Sequence, residues 1–225
     1  MNSSKKSILN SNFTYLAAFV LPVIMMMALY YTRGIFPWGN ECYLRSDMYH
    51  QYAPFFSELW HKIRNGESLT YSWDIGMGTN FTSLFAYYLA SPSNWFVALF
   101  PQKYTIEIMN AFIILKIAGS SLSLTYYLTK HNNNKHVIAA IFGMFYGMSG
   151  FIAAYSWNIM WLDCVILIPL IMLGLERLVN ENRCIFYCIT LGLCIFTNYY
   201  IAIMVCLSVV IYYVVLMIAY NGIKS

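Results

Sequence analysis

Asp47 stands in the run Arg45-Ser46-Asp47-Met48-Tyr49-His50-Gln51, the most polar stretch of an oily chain. A carboxylate there can take a proton from an attacking hydroxyl, or bind a divalent cation that neutralises a phosphate leaving group. Asp163, at the end of Asn158-Ile-Met-Trp-Leu-Asp163, is the best partner for a two-carboxylate site. His50 and His61 can serve as base, ligand or phosphate partner, and Arg45 offers a fixed positive charge to a phosphate. Trp73 and Asp74 lie in Tyr71-Ser-Trp-Asp-Ile-Gly-Met-Gly-Thr-Asn80, where two glycines suit a tight loop whose backbone approaches a sugar or phosphate. Lys116 falls inside an apolar run, where a lysine costs about 2.5–3.5 kcal/mol to insert and needs a partner or a polar cavity. That partner is a lipid phosphate on one reading, and Glu107 or Asp163 on the other.

Each of these residues also has a plainer role. Asp47 suits the cap of the following helix, although Pro54 would then fall inside the helix rather than in its first turn. Asp163 suits a helix N-terminus, Asp74 a turn, and Trp157 and Trp161 a membrane interface. No Cys-x-x-Cys occurs among the six cysteines, so neither a disulfide framework nor a zinc site is expected.

The element that must position Asp47 is a helix. Tyr52, Phe55, Phe56, Leu59, Trp60 and Ile63 recur as one helical stripe. Ser57, Glu58, His61, Lys62 and Arg64 lie off it, and Asn65-Gly66 is a stop signal. The pattern predicts an amphipathic helix lying on the membrane surface, with Asp47 at its head.

Charged residues make up 10% of the chain and apolar residues 60%, far from the composition of a soluble domain. The chain reads as an all-α polytopic membrane protein with about six transmembrane helices. The spans are expected near 13–32, 105–128, 137–154, 162–178, 184–198 and 200–220, with a long loop over 33–104 that carries interfacial helices. Within that loop, Ser91-Pro92-Ser93-Asn94 divides the apolar run 81–100 into halves too short to span. The run from 184 to 220 would exceed 50 Å as one helix at about 1.5 Å per residue, so it is expected to fold back near Thr197-Asn198-Tyr199-Tyr200. Gly143-x-x-x-Gly147, with Gly150, reads as a helix-packing surface. Lys116, Gly119, Ser120, Ser123 and Tyr127 give their span a polar stripe toward the bundle.

Basic residues collect in cytoplasmic loops. With the N-terminus inside, Lys5, Lys6, Lys130, Lys135, Arg177, Arg183 and Lys224 fall on that side, and loop 33–104 lies outside the cytoplasm. The net charge of +4 is modest and scattered, which gives nucleic-acid binding no support.

The segments SDMYHQYAPFFSELWHKIRNGESLTYSWDIGMGTNF, YYLASPSNW, NIMWLD and LGLERL resemble the YfhO family of bacterial membrane proteins. Members are much longer, so the resemblance implies that this chain corresponds to their N-terminal part. It further implies the C-type glycosyltransferase fold, in which an acidic residue follows the first span, here Asp47, and another stands in the second external loop, here Asp163. The implied donor is a polyprenyl-phosphate-linked sugar, and the implied acceptor a cell-envelope polymer such as lipoteichoic acid. The expected reaction inverts the anomeric carbon on the outer face of a bacterial cytoplasmic membrane, with a divalent cation as an optional helper. A transporter or flippase of lipid-linked sugar, and a non-catalytic assembly subunit, are the alternatives.

Overall fold

The computed structural model describes residues 2–132 and 137–224, with side chains from 12 to 132 and 137 to 219. Lys135 and the side chains of Lys5, Lys6 and Lys224, counted above for topology, lie outside the described residues.

Nine α-helices are described. Helix α1 (Asn2–Thr32) is followed by a π turn (Met48–Tyr52) that runs into α2 (Ala53–Asn65). A two-residue hairpin pairs Tyr71–Ser72 with Thr79–Asn80. Then come α3 (Phe81–Leu84), a second π turn (Phe85–Leu89) and a 3-10 helix (Pro92–Leu99). The break at Ser91-Pro92 falls where the sequence places it. The remaining helices are α4 (Thr105–His131), α5 (Val137–Gly147), α6 (Gly150–Tyr155), α7 (Leu162–Glu181), α8 (Ile185–Thr197) and α9 (Tyr199–Lys224).

Among the described residues, five stretches are long and apolar enough to cross a membrane: Asn12–Thr32, Gln102–His131, Val137–Tyr155, Ile159–Glu181 and Tyr199–Ala219. The third combines α5 and α6, which are separated by a kink at Met148-Ser149. The fifth expected span, 184–198, is α8, only 13 residues long. That length gives about 20 Å, against a hydrocarbon core of about 30 Å. Its end is fixed by Asn198, whose Oδ1 accepts the Ile201 N–H at 2.9 Å to start α9 and whose Nδ2 donates to the Tyr87 carbonyl at 3.1 Å. The short helix thus ends against the 85–89 turn of the 33–104 loop.

Helices α4 and α7 are central: 67% and 61% of their apolar windows are buried, against 17–28% for the other three spans. The polar stripe of α4 faces α7. Lys116, Ser120 and Ser123 are buried, and Tyr127 reaches Glu176 on α7. Helix α5 packs on the other side of α4 through its glycines. A Cβ on Gly143 would strike Thr125 and the Ser121 carbonyl, and one on Gly147 would meet the Ile117 carbonyl at 2.7 Å. Gly150 meets nothing within 4 Å and takes no part in that contact.

Helix α2 departs from a simple surface helix. Its predicted stripe is covered, with Tyr52, Phe56 and Leu59 at 3% exposure or less, but Glu58 and Lys62 on the other side are buried too. The hairpin lies over them. Lys62 donates to the Tyr71 carbonyl at 2.9 Å, Ser72 donates to Glu58 at 2.6 Å, and the lysine sits 5.2 Å above the Phe81 ring. Gly66 ends the helix in the left-handed conformation, as Asn65-Gly66 predicts.

Candidate functional site

Asp47 occupies the N-cap position of the π turn, yet its side chain makes no capping hydrogen bond. The backbone reaches it through Ser46, a non-glycine residue held at φ 46. Such a left-handed residue costs about 1–2 kcal/mol and is found preferentially at functional sites. The π turn ends before Ala53, so Pro54 falls in the first turn of α2, where its missing N–H costs nothing. The obstacle that Pro54 posed to a helix beginning near Asp47 is thus removed by a change of helix type.

The half-exposed Asp47 carboxylate stands among phenols. Burial, and then the negative charge of Asp47, raise the Tyr52 hydroxyl well above the usual phenol range. Burial, Tyr87 and Asp47 raise that of Tyr88. Both hydroxyls thus stay protonated and act as donors. Tyr52 donates to Asn158 Oδ1 at 2.6 Å and Tyr88 to Gln51 Oε1 at 2.9 Å. The Tyr52 ring lies 5.5 Å from Tyr88 and is stacked at 6.3 Å on Trp157. Tyr52 and Asn158 are buried, so the partly exposed groups that could meet a ligand here are the Tyr88 and Trp157 rings and the Gln51 amide.

The Tyr52–Asn158 bond ties Asp47 to the turn that precedes Asp163. Lys116 donates to the Ile159 carbonyl of that turn at 3.3 Å, to Ser91 Oγ at 3.3 Å and to Asp163 Oδ2 at 2.6 Å. With 6% and 14% side-chain exposure, Lys116 and Asp163 form a nearly enclosed ion pair. Of the two partners considered for Lys116, the structure shows Asp163. The pair fixes the 155–161 turn against α4, each charge offset by the other.

Arg45 lines a cavity of about 590 Å³ between α1, α4, α5, α6 and the 33–45 segment. Its walls include apolar Met26, Leu29, Ile117, Met148 and Ile152, while Arg33, Glu41 and Arg45 supply charge. Tyr43, also on the wall, shares a 2.6 Å hydrogen bond with Ser156. Arg33, Tyr52, Tyr88 and Asn158 were not singled out in the sequence as site residues. Tyr52 counted only as part of an apolar stripe, and a tyrosine's hydroxyl partner cannot be read from spacing.

The other predicted residues lie elsewhere. His50 is exposed, packs edge-on against Tyr49 at 5.1 Å, and lines a separate cavity with Ser57, Gln102 and Lys103. Trp73 is 77% exposed in the hairpin loop. Asp74 joins Glu58 and His61 rather than Asp47. A single carboxylate ringed by phenols does not provide the ligand set of a divalent cation. Among the described residues, the group of three metal-ligating side chains is Glu58, His61 and Asp74.

An apolar multi-helix bundle crowned by a long polar and aromatic loop defines a polytopic membrane protein. Over residues 17–225 the chain matches the family described as bacterial membrane protein YfhO, and it belongs to that family. No curated protein and no solved structure is significantly similar to it.

Proposed function

We propose that this chain carries the donor-side catalytic machinery of a glycosyltransferase that moves a sugar from a polyprenyl phosphate to a hydroxyl of a cell-envelope polymer, such as lipoteichoic acid. The observation that carries the reading is Asp47: a carboxylate at a strained turn, unused as a cap, beside a cluster of protonated phenols and stacked aromatics. The acceptor hydroxyl attacks the anomeric carbon with inversion, its proton passes to Asp47, and the bond to the donor phosphate breaks. The released charge stays on the phosphate, and stabilising that charge is the larger demand on the site. Arg33 and Arg45 meet it, while the apolar walls of their cavity take the first part of the isoprenoid tail. Lys116 and Asp163 hold the turn that presents Trp157 to the sugar, with Asn158 buried beneath it and bonded to Tyr52. The site faces away from the cytoplasm, in keeping with the distribution of basic residues.

Proteoliposomes containing a polyprenyl-phosphate sugar, labelled in the sugar, test this reading. Transfer of label to added acceptor, lost in Asp47→Asn, is the expected result. Movement of intact donor lipid across the bilayer, equal in wild type and Asp47→Asn and without transfer, would establish the flippase instead.

A further inference from the structure

A second cluster of chemistry-bearing groups lies on the opposite part of α2. Glu58, His61 and Asp74 each offer a ligand atom, and the three atoms lie within 4.8 Å of one another. Glu58 and His61 are three residues apart and so share a helix face. Asp74 is brought to them by the hairpin, through one serine: Ser72 Oγ donates to Glu58 Oε1 at 2.6 Å and accepts the Asp74 N–H at 3.2 Å.

Two further observations point to a cation. The His61 side chain is 40% exposed, but its Nδ1 is closed off from solvent and makes no hydrogen bond; Glu67 Oε1, 3.5 Å away, pairs with it only when the imidazole is protonated. The local charge is also unbalanced. Lys62 Nζ, 3.5 Å from Glu58 and 3.6 Å from Glu67, is one ammonium among the three carboxylates of Glu58, Glu67 and Asp74. Glu67 and Asp74 reach water, which screens part of this excess, and a divalent cation would offset the rest.

We infer that Glu58, His61 and Asp74 form a binding site for a zinc-class divalent cation that clamps the 71–80 hairpin onto α2. One imidazole and two carboxylates are ligands for such an ion, with bonds of about 2.0–2.2 Å. In a tetrahedron of that size ligand atoms stand roughly 3.4 Å apart, so the three groups close by roughly 1 Å on binding. The exposed Asp74 can make that movement. The consequence is to fix the loop that presents Trp73 and the fully exposed Met77. Glu58 lies about three turns beyond Asp47, roughly 16 Å at about 1.5 Å per residue, so the site does not depend on the role given to Asp47.

The test is equilibrium dialysis of the purified, chelator-stripped full chain against Zn²⁺ alone, with bound metal counted by mass spectrometry. The expected result is one Zn²⁺ per chain, at least tenfold weaker in His61→Gln and in Asp74→Asn, and not displaced by excess Ca²⁺. Amide exchange over 70–81 should slow on adding Zn²⁺ to the wild type, a reading that requires no variant. These two substitutions avoid the buried Glu58–Lys62 pair, and circular dichroism confirms that the helices persist. Absence of stoichiometric Zn²⁺, full retention in both variants, preference for Ca²⁺, or unchanged exchange over the hairpin would each overturn the site.

Discussion

Asp47 and Asp163 are both carboxylates at the ends of helical segments, and the sequence ranks them together, but the molecule treats them differently. Asp163 is held at 2.6 Å by Lys116 inside the α4–α7 core. Asp47 makes no capping bond, follows a strained serine, and influences two phenols without being neutralised by either. The same contrast recurs at the other end of α4. There Glu176 accepts from Tyr127 at 2.7 Å and from Tyr212, with His131 at 2.9 Å, joining α4, α7 and α9. Acids between the central helices are partnered and hold helices together; Asp47, in the loop, makes no capping bond, which is why the proposed chemistry is assigned to it.

Substitutions can break that contrast. The largest effect is expected at Asp47. Asp47→Asn should lower sugar transfer by about 10²–10⁴-fold, the usual contribution of a general base, with the thermal midpoint unchanged. Lys116→Met should do the reverse. It strands Asp163 in the core and lowers stability by about 3 kcal/mol, seen as a fall in the thermal midpoint in detergent, while Lys116→Met with Asp163→Asn recovers most of the loss. Arg45→Gln should raise the KM for the lipid-linked donor about tenfold, the loss of one charge-assisted hydrogen bond, and change kcat less. Tyr52→Phe is the mildest. It leaves buried Asn158 without its 2.6 Å donor and should lower stability by about 1 kcal/mol, with a small fall in transfer.

Much of the bundle can be read from the sequence because the membrane imposes length. The break at Ser91-Pro92, the reversal at Asn198 and the glycine contacts of α5 all follow from residue type and span length. The polar stripe of α4 likewise follows from the cost of exposing Lys116 to lipid. What cannot be read depends on contacts between distant segments. Glu58 and Lys62 fall off the apolar stripe of α2, and only the hairpin buries them. The Tyr52–Asn158 bond joins residues 106 positions apart, and no local pattern announces it. The π turn that reconciles Asp47 with Pro54 is a backbone adjustment that periodicity does not predict.

The most direct measurement sets the two carboxylates side by side: the single-turnover rate of sugar transfer by Asp47→Asn and by the charge-balanced double variant Lys116→Met with Asp163→Asn. At matched thermal stability, the double variant should keep its rate within about tenfold of wild type, while Asp47→Asn falls by about 10² or more. A double variant without activity beside an active Asp47→Asn would contradict the account and move the chemistry to Asp163.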